Sequence, residues 1–103
     1  MDKIEEVILL GIQKFGRQKT FAEILDAAGV YTDDSRRLEA ANTLESSGLI
    51  QDVTYQLPLT IRASLSPSGQ AFVTSLDRGA SKNISDLGMH ALLIFLQLNL
   101  AFL

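Results

Sequence analysis

Few side chains in this sequence of 103 residues are suited to catalysis or metal binding. The single histidine, His90, lies in the most apolar part of the chain, which favours a structural role over a metal site or a Ser-His-Asp arrangement. The acidic pairs Glu5-Glu6 and Asp33-Asp34 suit the positive ends of helix dipoles better than acid-base catalysis. The seven glycines are scattered, so no phosphate-binding glycine loop is present. We therefore expect neither an enzyme nor a bound metal or cofactor.

The composition indicates a single globular domain with a short appendage, since 47% of the residues are hydrophobic and 20% are charged. No cysteine is present, which excludes disulfides and thiolate metal sites and is consistent with a reducing cytoplasm. Nine basic residues against twelve acidic ones give a net charge of −3. This balance argues against general affinity for polyanions, although a local basic patch can still act within a Debye length of about 8 to 10 Å. The acidic start, residues 1–6, lacks the basic residues of an export signal, so a cytoplasmic location is expected.

Residues 20–50 predict two short helices joined by a tight turn. Thr20 and Glu23 have the spacing of a capping box, which starts the first helix. Its apolar face is narrow and consists of Ile24, Leu25 and Ala28. Gly29 supplies the left-handed position that ends this helix. A cap from Thr32, Asp33 or Asp34 then begins the second helix.

The second helix is expected to present polar side chains that can recognise bases. With Leu38, Ala41 and Leu44 facing the core, a rotation of about 100° per residue defines the outward set. That set is Arg36, Glu39, Ala40 and Thr43, with Ser35 and Asn42 at its edges. Arg36 suits a guanine edge, Asn42 an adenine, and Glu39 a cytosine amino group. Residues 33–45 contain four acidic residues and two arginines, and this negative balance counts against tight DNA binding.

Residues 50–65 alternate between apolar and polar side chains, which predicts strands. Pro58 cannot lie inside a central strand, so it separates two arms over residues 50–55 and 60–65. The tip of this hairpin, Gln56 to Leu59, is apolar and carries no cation, so it is expected to contact protein. Only Arg62 and Thr60 could reach a phosphate from the hairpin.

Helices are also predicted on both sides of this region. The first covers residues 2–15 and ends at Gly16. The loop that follows carries Lys14, Arg17 and Lys19, a basic cluster that suits either a nucleic-acid backbone or plain exposure to solvent. Ser66 and Pro67 begin another helix, which Gly79 ends. Its predicted inner face is Ala71, Phe72, Val73 and Leu76.

The last helix, residues 86–103 after a cap at Ser85, is apolar almost all round and must therefore be buried almost all round. Three arrangements are open: a helix shared by two chains, a core helix of one chain, and a membrane span. The apolar stretch of about 17 residues is at the lower limit for a span, so we favour the dimer. The predicted interface between chains is Leu87, Ala91, Ile94, Leu98 and Ala101. The face predicted to pack on its own domain is Leu92, Phe95 and Phe102.

Four segments give the chain a resemblance to the winged helix-turn-helix superfamily. They are Glu23-Ile24-Leu25, Gly29-Val30, Leu44 to Ile50 and Leu65-Ser66-Pro67-Ser68-Gly69. The resemblance extends over residues 2–79. It implies a mostly helical α+β fold, a winged helix-turn-helix domain at 1–79 with a two-stranded wing, and a linker with a hydrophobic dimerisation helix at 80–103.

The resemblance leaves two classes of function open, because winged helices bind both DNA and proteins. One is a homodimeric, cytoplasmic transcription regulator that binds double-stranded DNA. The other is a protein-interaction module or adaptor that uses the wing tip. The residues expected at DNA are Ser35, Arg36, Glu39, Asn42, Thr43, Lys14, Arg17, Lys19 and Arg62.

Overall fold

The fold is α+β and mostly helical, with a two-stranded antiparallel sheet. The computed structural model describes residues 1–56, 59–78 and 86–101. Its elements are α1 (Lys3–Phe15), α2 (Phe21–Ala27), α3 (Asp34–Ser46), β1 (Ile50–Gln56), β2 (Thr60–Leu65), α4 (Pro67–Arg78) and α5 (Asp86–Ala101). This order is compatible with a winged-helix arrangement. Outside the described residues lie Leu57 and Pro58 of the predicted wing tip, the Gly79 stop, the linker with Ser85, and Phe102 and Leu103.

Helix α1 is the centre of the core, because it packs against every other helix and against β2. Asp2 caps its start by accepting a hydrogen bond from the Ile4 amide at 2.7 Å. Gly16, with a φ of 61°, ends it as predicted. Burial extends well beyond one stripe, since Val7, Ile8, Leu9 and Leu10 all lie inside the molecule. An amphipathic helix of this width needs cover from several elements.

The α2–turn–α3 segment forms as its capping residues predict. The Thr20 hydroxyl accepts from the Glu23 amide at 3.1 Å, and the Thr20 amide donates to Glu23 Oε1 at 3.0 Å, which completes the capping box. Gly29 takes a φ of 75° and turns the chain. Asp33, one of the three predicted caps, accepts from the Arg36 amide at 2.8 Å and begins α3.

The inner face of α3 differs from the predicted one by a small rotation. Ala41 and Leu44 are buried as predicted. Ala40, predicted to face outward, is only 6% exposed, whereas Leu38, predicted to face inward, is 37% exposed. Ala40 and Ile4 of α1 both line a depression between α3 and the start of α1.

The hairpin β1–β2 contains a bulge that the alternating pattern did not predict. Gln51 pairs with Ser64 and Thr54 pairs with Arg62, so the register shifts between Gln51 and Thr54. An extra residue in one strand reverses which parity faces the core. In a regular strand, Ile50 and Val53 would face opposite sides of the sheet. Because of the bulge, Ile50 is buried and Val53 is half-buried. Strand β2 has the predicted bounds, and β1 ends one residue later than predicted.

Ser66 connects the end of α3 to the start of α4. Its amide donates to the Leu49 carbonyl at 3.1 Å, and its hydroxyl donates to the Gly48 carbonyl at 2.5 Å. The same hydroxyl accepts from the Gly69 amide at 2.9 Å and so caps α4. Within α4, Val73 and Leu76 are buried as predicted, whereas Ala71 is exposed, which corrects its predicted inward position.

Helix α5 packs mainly on α1. Phe95 is buried, as predicted, and its ring meets that of Phe15 edge to face at 5.4 Å between centroids. Ala91, predicted to face a second chain, is instead buried against its own core, and Leu87 and Ile94 also pack partly on it. The side chains of Leu98 and Ala101 are outside the description. In the described ranges, no helix has both the length and the apolar character required to cross a bilayer.

The Gly69→Ala substitution should destabilise the protein. A Cβ at position 69 would lie 1.9 Å from the Leu49 carbonyl oxygen, so the first turn of α4 would have to move away from the backbone after α3. We expect a loss of about 1 to 3 kcal/mol in the free energy of unfolding, measured by urea denaturation. The control is Ser68→Ala, an exposed neighbour that should change stability by less than about 0.5 kcal/mol. Equal stability of the two variants would contradict the close packing.

Candidate nucleic-acid interface

The outward side of α3 forms a polar surface, the reader face. It consists of Ser35, Arg36, Glu39, Asn42 and Thr43, all of which are exposed. Within the described residues, none of these five side chains makes a hydrogen bond or an ion pair. Their donors and acceptors are therefore available to a partner in solution.

The two arginines of α3 have different roles. The Arg37 guanidinium donates to the Thr32 carbonyl at 2.5 Å and to the Thr32 hydroxyl at 3.0 Å, and it pairs with the Asp34 carboxylate. Arg37 therefore fastens the turn to the first turn of α3. Arg36 is exposed and its guanidinium makes none of these contacts, so it is the arginine of α3 available to a ligand.

A small depression of about 50 Å³ borders the reader face where α3 meets the start of α1. Its carboxylates are Asp2, Glu5 and Glu39, and its cation is Arg36. Burial, together with the nearby charge of Asp2 and a smaller effect of Glu39, raises the pKa of Glu5. The negative potential on this flank of α3 disfavours phosphates there.

The basic loop after α1 meets the base of the hairpin. The Arg17 guanidinium donates to the Asp52 carbonyl at 2.5 Å and to the Thr54 hydroxyl at 3.2 Å. The Lys19 ammonium lies 5.1 Å above the centre of the Phe15 ring. Arg62 is half-buried on β2, directly across from Thr54. Arg17 and Arg62 therefore both lie beside Thr54.

Lys14, the remaining predicted phosphate contact, is half-buried in the last turn of α1. Its position at the carboxyl end of the helix is favourable for a cation, because the helix dipole is negative there. Lys14 and Lys19 make no hydrogen bond or ion pair within the described residues.

Three large side chains near α3 are exposed, and sequence reasoning assigned no role to Tyr31 among them. Tyr31, in the turn before α3, is 91% exposed, and an aromatic residue in an otherwise polar turn is the signal that could have identified it. Tyr55 of β1 is 43% exposed, and burial with the Glu45 charge raises the pKa of its hydroxyl. Strand β1, which carries Tyr55, packs on α3. Leu38 is the third such residue.

In the part of the chain that the structure describes, no group of three or more His, Cys, Asp or Glu side chains is arranged to hold a metal ion. His90 is exposed on α5.

Comparison with protein-family models, with curated protein sequences and with solved structures finds no match to this chain. The function must therefore be inferred from the chain's own residues.

The Glu5→Gln substitution should stabilise the protein at neutral pH. The pKa of Glu5 is raised in the folded state, so folding disfavours the ionised carboxylate. The stability contributed by Glu5 is therefore greatest at low pH and falls as the pH rises through the folded-state pKa. Urea denaturation at about pH 7 should show a gain for Glu5→Gln that disappears near pH 3.5, where Glu5 is protonated in both states.

Glu23→Gln provides the control of opposite sign. Hydrogen bonds from the amide and side chain of Thr20 lower the pKa of Glu23, so its stability contribution is present at neutral pH and is lost as pH falls through the folded-state pKa. Glu23→Gln should therefore be less stable than wild type at neutral pH. Loss of stability in both variants at pH 7 would contradict the role given to Glu5.

Proposed function

We propose that residues 1–79 form a winged helix-turn-helix domain that binds double-stranded DNA and that pairs of chains act as a transcription regulator. The order of three helices, a hairpin and a further helix supports this proposal. The observation that carries it is the reader face, whose five polar side chains are exposed and have no hydrogen-bond partner within the described residues. Polar side chains that form no hydrogen bond or ion pair within the described residues are available to an external ligand.

The reader face has the chemistry of direct base recognition. In this proposal, α3 enters the major groove with its reader face toward the bases. Arg36 donates two hydrogen bonds to the O6 and N7 atoms of a guanine, and Asn42 pairs with the N6 and N7 atoms of an adenine. Glu39 accepts from a cytosine amino group, a contact that also explains a carboxylate on a DNA-facing helix.

Phosphate contacts come from the neighbouring cations. Lys14, Lys19 and Arg62 have no hydrogen bond or ion pair within the described residues, and they lie outside the acidic depression. Three cations displace few counterions from DNA, so the salt dependence of binding should be shallow. The logarithm of the binding constant should fall by roughly 0.9 per phosphate contact for each tenfold rise in salt concentration. Base contacts then supply a large share of the specificity.

Part of α5 is not covered by the core of its own chain, and we propose that a second chain packs on this part. Leu93 is 53% exposed, on a different side from Ala91 and Phe95. In the sequence, Met89, Leu93, Leu96 and Leu100 recur at steps of four, three and four residues, the spacing of a seam between paired helices. The proposed interface is therefore the seam that contains Leu93, and it replaces the seam with Ala91 that the sequence predicted. A twofold pair would hold two reader faces at a fixed spacing, as a palindromic site requires.

A second candidate function is a protein-interaction module without DNA binding. The exposed side chains of Tyr31, Leu38 and Tyr55 near α3 favour it, because large apolar and aromatic groups contribute strongly to protein interfaces. The acidic depression beside the reader face also favours a partner that is not a polyanion.

Binding to duplex DNA distinguishes these two functions. A pool of random duplexes can be selected on the full chain, and the enriched sequence titrated at two salt concentrations. Arg36→Ala should weaken binding to that sequence by about 1 to 3 kcal/mol and relax the preference at one base pair. Lys14→Ala should weaken binding to all sequences alike. Equal losses on every sequence for Arg36→Ala would remove the reader role, and absence of enrichment would favour the interaction module.

The Leu93→Glu substitution should convert a dimer into a monomer. A carboxylate at the centre of a paired apolar seam is costly to bury, whereas Leu93 is already exposed in the single chain, so the fold itself should tolerate the change. Gln97→Glu adds the same charge at an exposed position beside the seam, one turn along α5, and should weaken the dimer far less than Leu93→Glu does. Mass in solution measured by analytical ultracentrifugation checks both variants. A monomeric wild-type chain at micromolar concentration would contradict the proposed dimer.

A further inference from the structure

Strand β1 contains a strained residue at its bulge. Asp52 has a φ of 54°, the one left-handed non-glycine residue in the described part of the chain. Side chains rarely adopt this conformation, and it persists only where the surroundings maintain it. The bulge determines the direction of the hairpin, because it bends the strand and increases its twist.

The Arg17 side chain holds this bulge from outside the sheet. One terminal nitrogen donates to the Asp52 carbonyl at 2.5 Å and the other donates to the Thr54 hydroxyl at 3.2 Å, so the guanidinium spans Val53. The planar fork of arginine suits two such acceptors, and its charge strengthens both hydrogen bonds. Lysine, with a single nitrogen, could not hold both sides of the bulge in this way.

The backbone that carries Arg17 is itself well anchored. Gly16 ends α1, and the preceding residue, Phe15, packs on Phe95 of α5. The Lys19 ammonium also lies over the Phe15 ring. The guanidinium therefore connects the C-terminal end of the central helix to the base of the hairpin.

We propose that Arg17 is a wing-positioning residue, which sets the direction of the hairpin relative to α3, and not a phosphate contact. This inference rests on the proposed function and replaces the role that the sequence predicted for Arg17. Both terminal nitrogens of its guanidinium are already directed at the hairpin, whereas Lys14 and Lys19 have no such hydrogen bonds. Correct placement of Arg62 at a phosphate then depends on Arg17, because Arg62 pairs with Thr54 across the hairpin.

Amide hydrogen exchange tests the positioning role without DNA. Arg17→Gln should raise exchange rates in β1 and β2 on the order of tenfold, because two charge-assisted hydrogen bonds at the bulge are lost. Lys14→Gln removes the same charge from the last turn of α1, three residues before Arg17, and should leave these rates unchanged. In Arg17→Gln, the added substitution Asp52→Gly should restore part of the protection, since glycine adopts the left-handed bulge position without strain. Equal hairpin exchange in Arg17→Gln and Lys14→Gln would overturn the proposal.

Salt dependence of DNA binding gives the second readout. Arg17→Gln should weaken binding while the slope of log K against log salt stays that of the wild type. Lys14→Gln should make the slope shallower by roughly 0.9, the value for one phosphate contact. A shallower slope for Arg17→Gln would identify it as a phosphate contact and overturn the proposal. If the wild-type chain binds no DNA, the proposed function fails, and the exchange experiment alone decides the role of Arg17.

Discussion

The close packing of α1 against its neighbours is the constraint on which the rest of the structure depends. A Cβ at Gly11 would lie 2.2 Å from Ile24 Cγ2, so α1 and α2 touch where α1 has no side chain. This contact lets the apolar residues around Gly11 face several elements at once. The wide apolar surface of α1 then requires α4, α5 and β2 as cover. Helix α3 contributes only a narrow face to this core, which leaves its polar side free.

In the proposed complex with DNA, the charges around α3 would separate specificity from affinity. Arg37 is used within the fold, and Arg36 shares its surroundings with Glu5 and Glu39. A helix of this kind attracts the phosphate backbone weakly and must obtain its selectivity from short-range hydrogen bonds. Its association with DNA would gain little from long-range electrostatic steering.

Short-range sequence signals predicted much of the fold. The capping box at Thr20, the cap at Asp33 and the left-handed Gly29 each depend on residues only a few positions apart, and all three form as the spacing implies. The bounds of β2 follow in the same way from alternation and Pro58. Helical periodicity also predicts the exposure of the five polar residues of the reader face, although it wrongly places Ala40 on the same side.

The features that sequence reasoning missed depend on tertiary contacts. Ala40 is buried on the inner face of α3 whereas Leu38 is exposed, and periodicity alone cannot resolve a rotation of this size. Ala91 is buried within its own chain because the apolar surface of α1 is wider than a single stripe and α5 covers part of it. The bulge at Asp52 depends on Arg17, which is 35 positions away in the chain. No local pattern contains that information.

The link between Ser66 and residues 48–49 has a consequence for how the hairpin can open. Two hydrogen bonds, from the amide and the hydroxyl of Ser66, close the chain between Leu49 and Ser66 into a loop that contains both strands. Once this junction exists, the remaining residues of the hairpin have only a short loop to close, which lowers the entropic cost of pairing them. Unzipping should therefore begin at the far end of the hairpin and proceed toward the junction. The end of α3, the base of the hairpin and the first turn of α4 should then form and melt as one cooperative unit.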